Sequence, residues 1–257
     1  MGWGEATSGK FMSPRMPKQL GKSPLVEAIF EMRFEADAPV AGDLLPGLLY
    51  SLMKNQYPQV IPLALSSIPR EIRDKTADLS YQPSHRLTNG PHSVQVGDRV
   101  LTVNSLDYPG WAKFKEHVAS ALLAIKGTEL VKRVERFSFK YVNLIEAAPT
   151  EAQLSLLNLR VELIDGPPRE RGFRLRVERD DDDFQTIIEM IPNTTAKHTR
   201  AAKQVSGLLI TVDTIRSKVG EAFLTNKSAL EEAHSVLKKT FFSLLTEDAV
   251  RRLEPIE

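Results

Sequence analysis

Two stretches constrain this chain more than anything else in it. Leu25 to Phe34 reads LVEAIFEMRF, and Val134 to Ile145 reads VERFSFKYVNLI. In the first, Val26, Ala28, Phe30, Met32 and Phe34 fall on one side of an extended backbone, with Glu27, Ile29, Glu31 and Arg33 on the other. In the second, Phe137, Phe139 and Tyr141 alternate with Arg136, Ser138 and Lys140. Successive side chains of a strand point to opposite faces, so both stretches predict strands buried on one side only.

The remaining pattern fits helices between such strands. Asp43 to Gln56 sets Leu45, Leu48, Leu49 and Leu52 at helical spacing, with Asp43 as N-cap and Pro46 in the first turn. Residues 57–93 are broken by Pro58, Pro62, Pro69, Pro83 and Pro91, leaving one short edge strand at Val60 to Leu65. They read as a connector, or as a lid. His92 to Leu106 reads as two strands around Gly97-Asp98. The helix after it carries Trp111, Phe114, Val118, Leu122 and Ile125 in one stripe, closed by Gly127. Further strands are expected at Gln153 to Ile164, Gly172 to Arg179, Phe184 to Ile191 and Gly207 to Ile215. A helix from Ser228 to Leu245 opens on Ser228 and Glu231, the spacing of a capping box, and a short helix begins at Thr246. Strands in runs with helices inserted singly argue for an α+β fold: mainly antiparallel sheet, with three to four amphipathic helices packed on one face. The expected organisation is a flexible tail over 1–22 and a single unit over 23–257, with 23–130 and 131–257 as two similar subdomains if the strong strands mark two halves.

Several chemistries are excluded. With 34 Lys+Arg against 33 Asp+Glu there is no general field for nucleic acid or anionic lipid, so such a role needs a local patch. The absence of cysteine removes disulfides, thiolate nucleophiles and zinc–thiolate sites, and fits a reducing compartment. No apolar run approaches the roughly 20 residues that span a bilayer, and the N-terminus lacks the apolar stretch of a secretory signal. The expectation is a cytoplasmic protein with no membrane contact. Phosphate-cradling glycine loops and a G-x-S-x-G elbow are missing, and His85, His92, His117, His198 and His234 lack metal-ligand spacing. No metal and no cofactor are implied.

Charge clusters remain. Asp180 to Asp183 is an acidic run at an expected hairpin tip, where turn geometry accounts for it better than a cation site does. Arg169, Arg171, Arg174, Arg176 and Arg179 lie along one segment, and Arg174 and Arg176 share a strand face. Together with Arg136, Lys140 and the loop residues Lys197, His198, Arg200 and Lys203, they would make a phosphate-binding surface if the elements adjoin. The alternative is cross-strand pairing with Glu27, Glu31, Glu178 and Glu189, which near-zero net charge favours. Glu27, Glu31, Glu189 and Asp213 also leave a dispersed acid–base site open. The corner LDYPGW reads as a strand-to-helix turn. In it only Tyr108, polar-tipped and outside the stripe, is a candidate partner-binding residue.

KSPLVEAIFEMRF, LTVNSLDYPGW, RVERFSFKYVNLIE, GLLITVDTIRS and AHSVLKKTFFSLLTEDAVRRLEP occur in that order. Together they resemble a sporadically distributed bacterial family of about this length, over most of the chain from Lys18 onward. The resemblance brings no assigned activity and no catalytic residues. It implies a mobile-element or host–virus conflict setting, and it matches Asp213 to an acidic residue usual in that sheet segment. The expected function is a non-enzymatic interaction or accessory protein with a protein partner. Nucleic-acid binding through the basic face and a dispersed carboxylate or histidine enzyme are the alternatives, and homo-oligomerisation is left open.

Overall fold

The two alternating stretches become neighbouring strands at the centre of one broad antiparallel sheet. The computed structural model describes residues 16–73, 75–76, 79–161, 172–197, 204–217, 219, 221–225 and 227–256. In chain order its elements are β1 (Gln19–Leu20), β2 (Leu25–Ala36), α1 (Ala41–Met53), β3 (Gln59–Pro62), α2 (Arg70–Arg73), β4 (Pro83–Asn89), β5 (His92–Gly97) and β6 (Val100–Ser105). There follow α3 (Trp111–Lys126), β7 (Val131–Glu146), α4 (Thr150–Leu154), β8 (Leu175–Asp181), β9 (Phe184–Lys197), β10 (Gln204–Ser217), α5 (Ser228–Leu244), α6 (Glu247–Arg252) and β11 (Pro255–Ile256). The fold is α+β with mostly antiparallel sheet.

The main sheet has nine strands in the order β3-β4-β5-β6-β2-β7-β10-β9-β8. At its midline Ala28 faces Tyr141, Phe30 faces Phe139 and Met32 faces Phe137. The Phe30 and Phe139 ring centroids stand 5.2 Å apart, and none of this aromatic centre is left to solvent beyond a trace of Tyr141. Each such ring stabilises the fold by about 1.5–3 kcal/mol relative to exposure. Three helices cover this face. α1 buries Leu45, Leu49 and Met53, α3 buries Phe114, Val118, Leu122 and Ile125, and α5 buries Leu230, Ala233 and Leu237.

A similar order of elements occurs in both parts of the chain, with the first part carrying one strand and the short helix α2 in excess of the second. A long strand (β2 or β7) leads to a helix (α1 or α4), then to return strands. The last of these (β6 or β10) lies beside the first, and a covering helix (α3 or α5) follows. The two first strands pair with each other, which brings the N-terminal end of α3 against α5.

Several local expectations differ from what is observed. α1 starts at Ala41 after Val40, with no side-chain cap, because Asp43 is committed to Arg70 and Arg73 instead. Leu48 and Leu52 therefore point outward, and Ala41 and Met53 complete the buried stripe. Within the proline-rich stretch, PSHRLTN forms β4. Its first residue is Pro83, a position where a missing N–H is tolerated, and a register shift follows it. The strand expected from Gln153 onward is not seen over 153–161. Gln153 and Leu154 end α4, whose residues Glu151, Ala152 and Leu154 favour helix, and the chain beyond it contributes only an isolated bridge from Leu157 to Leu245. Residues 162–164 of that expected strand lie outside the described residues. Within the expected tail, Gln19 and Leu20 pair with Ile256 and Pro255.

Candidate functional site

The chain leaving β6 must turn into α3, and LDYPGW makes the turn. Gly110 adopts φ 92°, which a side chain would strain, and stands as the N-cap residue of α3. The corner and α5 do not close on each other. Between them lies a cavity of about 600 Å³. Its floor is β7, through Tyr141 and Asn143, which are 7% and 4% exposed. One wall is Leu106 to Trp111, the opposite wall is α5 through His234, Leu237, Lys238 and Phe241, and the segment around β1 closes a third side.

Trp111 forms the rim. Its ring stacks on His234 with centroids 3.9 Å apart and planes 3° from parallel, and meets Phe139 edge-on at 5.4 Å. Its indole N–H donates to Glu231 Oε2 at 2.7 Å, and Lys115 donates to the same carboxylate. Two expectations are corrected by this geometry. Glu231 makes no capping box, since Lys227 precedes α5 without a side-chain cap and α3 draws the carboxylate across. Trp111 is only half-buried, so the fully buried stripe starts at Phe114.

Tyr108 is part of the cavity rather than a solitary exposed handle. Its hydroxyl shares a 2.9 Å hydrogen bond with Tyr141, and its ring packs on Phe114 at 5.7 Å. Burial pushes the Tyr108 phenol up to about 12 and Tyr141 well above the ordinary value, so both stay protonated at neutral pH. Burial, with the positive charge of Lys238, pulls His234 down to about 4 against the opposing field of Glu231. A base that weak takes few protons at neutral pH. Burial lowers Lys238, and among the described residues no carboxylate forms an ion pair with it to compensate.

The uncovered sheet face carries the other candidates. Arg136 and Lys140 sit on β7, at the middle of the sheet, while Arg174 and Arg176 lie at its β8 edge. Arg136 Nη2 donates to Glu31 at 2.8 Å, and Glu31 also accepts from Arg33 at 2.8 Å. Arg174 and Arg176 both donate to Glu189, at 2.8 and 3.1 Å, and Arg176 also to Glu178. This is the cross-strand ladder that competes with a phosphate-binding surface. Lys197 ends β9, and its side chain, together with Arg200, Lys203, His198, Arg169 and Arg171, lies outside the described residues.

Asp213 lies opposite Lys140 on β10. Burial raises its carboxyl, while Lys140 and a hydrogen bond from Ser138 pull it back. Asp182 and Asp183 make the tip of the β8–β9 hairpin, with Asp182 at φ 51° and Asp183 paired to Arg216 at 2.6 Å. Among the described residues no cluster of acidic or histidine ligands could hold a metal.

Sequence spacing missed the cleft partners of Tyr108. His234 and Lys238 stand one turn apart on α5, but nothing in their own surroundings marks them. Only the fold brings them to residues 108–111. His92 and His117 also meet, with ring centroids 4.9 Å apart, and Tyr57 bonds His117 Nδ1 at 2.9 Å. No family model matches the chain, and no curated protein matches it.

Proposed function

We propose that the protein works by binding, and that the cleft between α3 and α5 holds a small aromatic ligand. The cavity carries this reading. Its volume lies within the range of about 300–1,000 Å³ common to small-ligand sites, and its walls combine aromatic rings with a few polar tips. Tyr108, the residue singled out for partner contact, supplies one of those tips. The accessory role in a bacterial defence or mobile-element setting, implied by the family resemblance, is compatible with a protein that acts through a bound molecule.

Leu106 lines the cleft and is 48% exposed, so a larger side chain there narrows the mouth without entering the core. A set of one- and two-ring aromatic fragments, followed by ligand-observed NMR, tests the reading. Some fragments should bind the native protein and lose binding to Leu106→Trp, whose thermal unfolding stays unchanged. Fragments that bind both proteins alike, or bind neither, overturn it.

A further inference from the structure

We infer that the cleft selects ligands carrying an anionic group beside a planar ring, and that Lys238 receives the anion. This rests on the cleft being a binding site and adds the charge of what it binds.

Lys238 is the observation that matters. It lies on the α5 wall, half-buried, and no described carboxylate forms an ion pair with it. Removing an ammonium from water is costly unless an opposite charge replaces the lost solvation. The other half-buried lysines among the described residues find that charge: Lys115 bonds Glu231 and Lys140 faces the Asp213 carboxyl, while the remaining described lysine side chains are exposed to water. Lys238 keeps its charge facing an open cavity. One turn earlier, His234 is neutral and adds no compensating negative charge. Its imidazole is instead spent as a stacking platform for Trp111.

The surroundings point the same way. The first turn of α3 opens at this cavity with no acidic residue of its own and no side-chain cap, which leaves its backbone N–H groups toward the cleft uncapped by a side chain. Asp107 is the carboxylate among the described lining residues, and its field reaches His92 of β5. The floor is built rather than incidental. Tyr141 and Asn143 are more than nine-tenths buried and line a cavity walled by Tyr108 and Phe241, the Tyr141 hydroxyl held by Tyr108 and the Asn143 amide donating to the Ile210 carbonyl. A ring fits against those aromatic walls, with its anion at the α5 side.

A phosphate on a nucleotide and a carboxylate on an indole both have this chemistry, and two pairs of probes separate them. Indole-3-acetate is compared with its neutral amide, and adenosine 5′-monophosphate with adenosine, by calorimetry. Of the two tryptophans in the chain, Trp111 is on the rim, so Trp3→Phe leaves it as the sole fluorescent reporter. In at least one pair the anion should bind about tenfold or more tighter than its neutral counterpart and change Trp111 emission. Which pair responds identifies carboxylate or phosphate. Lys238→Met, which keeps the apolar stem, should abolish the preference and leave the neutral compound's affinity alone. Equal affinities within both pairs, equal anion binding by Lys238→Met, or no binding by any of the four overturns the proposal. The Leu106→Trp fragment comparison decides separately whether the cleft binds at all.

Discussion

On the open face of the sheet, Glu31 sits between Arg33 and Arg136, and Glu189 between Arg174 and Arg176. On the helix-covered face, at the cleft, Lys238 has no such partner among the described residues and His234 is held neutral. A net charge of +1 hides this contrast, because it sums a face whose charges are paired with a cavity whose lysine is not. Charge abundance is therefore a poor guide to function in this fold. The charges that matter are those the fold has buried without matching.

The largest test removes what anchors the cleft. Phe139 is fully buried and touches Phe30, Phe114 and the Trp111 rim. Phe139→Ala should cost about 3–5 kcal/mol in urea denaturation. A loss below about 1 kcal/mol would mean that the core closes over the gap and that the rim does not depend on it.

Acid separates the two faces next. Well above pH ~6.5 His234 is neutral folded or unfolded, and it adds no pH dependence. As pH falls toward about 4, the unfolded chain takes up a proton that the folded site refuses, so stability drops. The contribution is at most about 3 kcal/mol, and it levels off below the folded value. Lys238 and Lys115 face the imidazole and oppose its protonation, while Glu231 favours it. His85, His92 and His117 are also lowered by burial and act in the same direction. The measurement is therefore the difference between wild type and His234→Phe, which keeps a ring for Trp111 to stack on. The variant should lose less stability between pH 6.5 and 4. Glu189 on the open face behaves otherwise. Glu189 is lowered, so its stabilisation is present above the ordinary carboxylate value and is lost only as pH falls through the lowered one. Identical acid profiles for wild type and His234→Phe would remove the cleft half of the contrast.

How much of this could be read in advance follows from the range of each interaction. The central strands were legible because alternation is a local property, and Phe30, Phe137 and Phe139 fall where it puts them. β4 was not, since PSHRLTN has one large apolar residue, Leu87, and owes its place to pairing with β3 and β5. Asp43 and Glu231 were each read as helix-start residues, and each is captured by a cation distant in sequence. The cleft was half legible. The corner stood out through its proline, glycine and aromatics, but its meaning depends on α5 arriving more than a hundred residues later, and no local pattern announces Lys238.

The smallest effects belong to the open face and grade with burial. Arg33 and Arg136 are 31% and 27% exposed, so Glu31→Gln leaves two partly shielded guanidiniums repelling each other and should cost about 1 kcal/mol. Arg174 and Arg176 are 63% and 47% exposed, and water and salt replace much of what Glu189 supplies. Glu189→Gln should therefore unfold with the wild type within the error of a denaturation curve. Its effect should appear in binding. Freed of Glu189, the edge arginines should give weak retention on duplex DNA at low salt, lost as salt rises, whereas the wild type should pass through unretained. Strong, salt-sensitive retention of the wild type itself would mean that the ladder does not neutralise this face. The contrast between matched and unmatched charge would then fail on the side where it looks most secure.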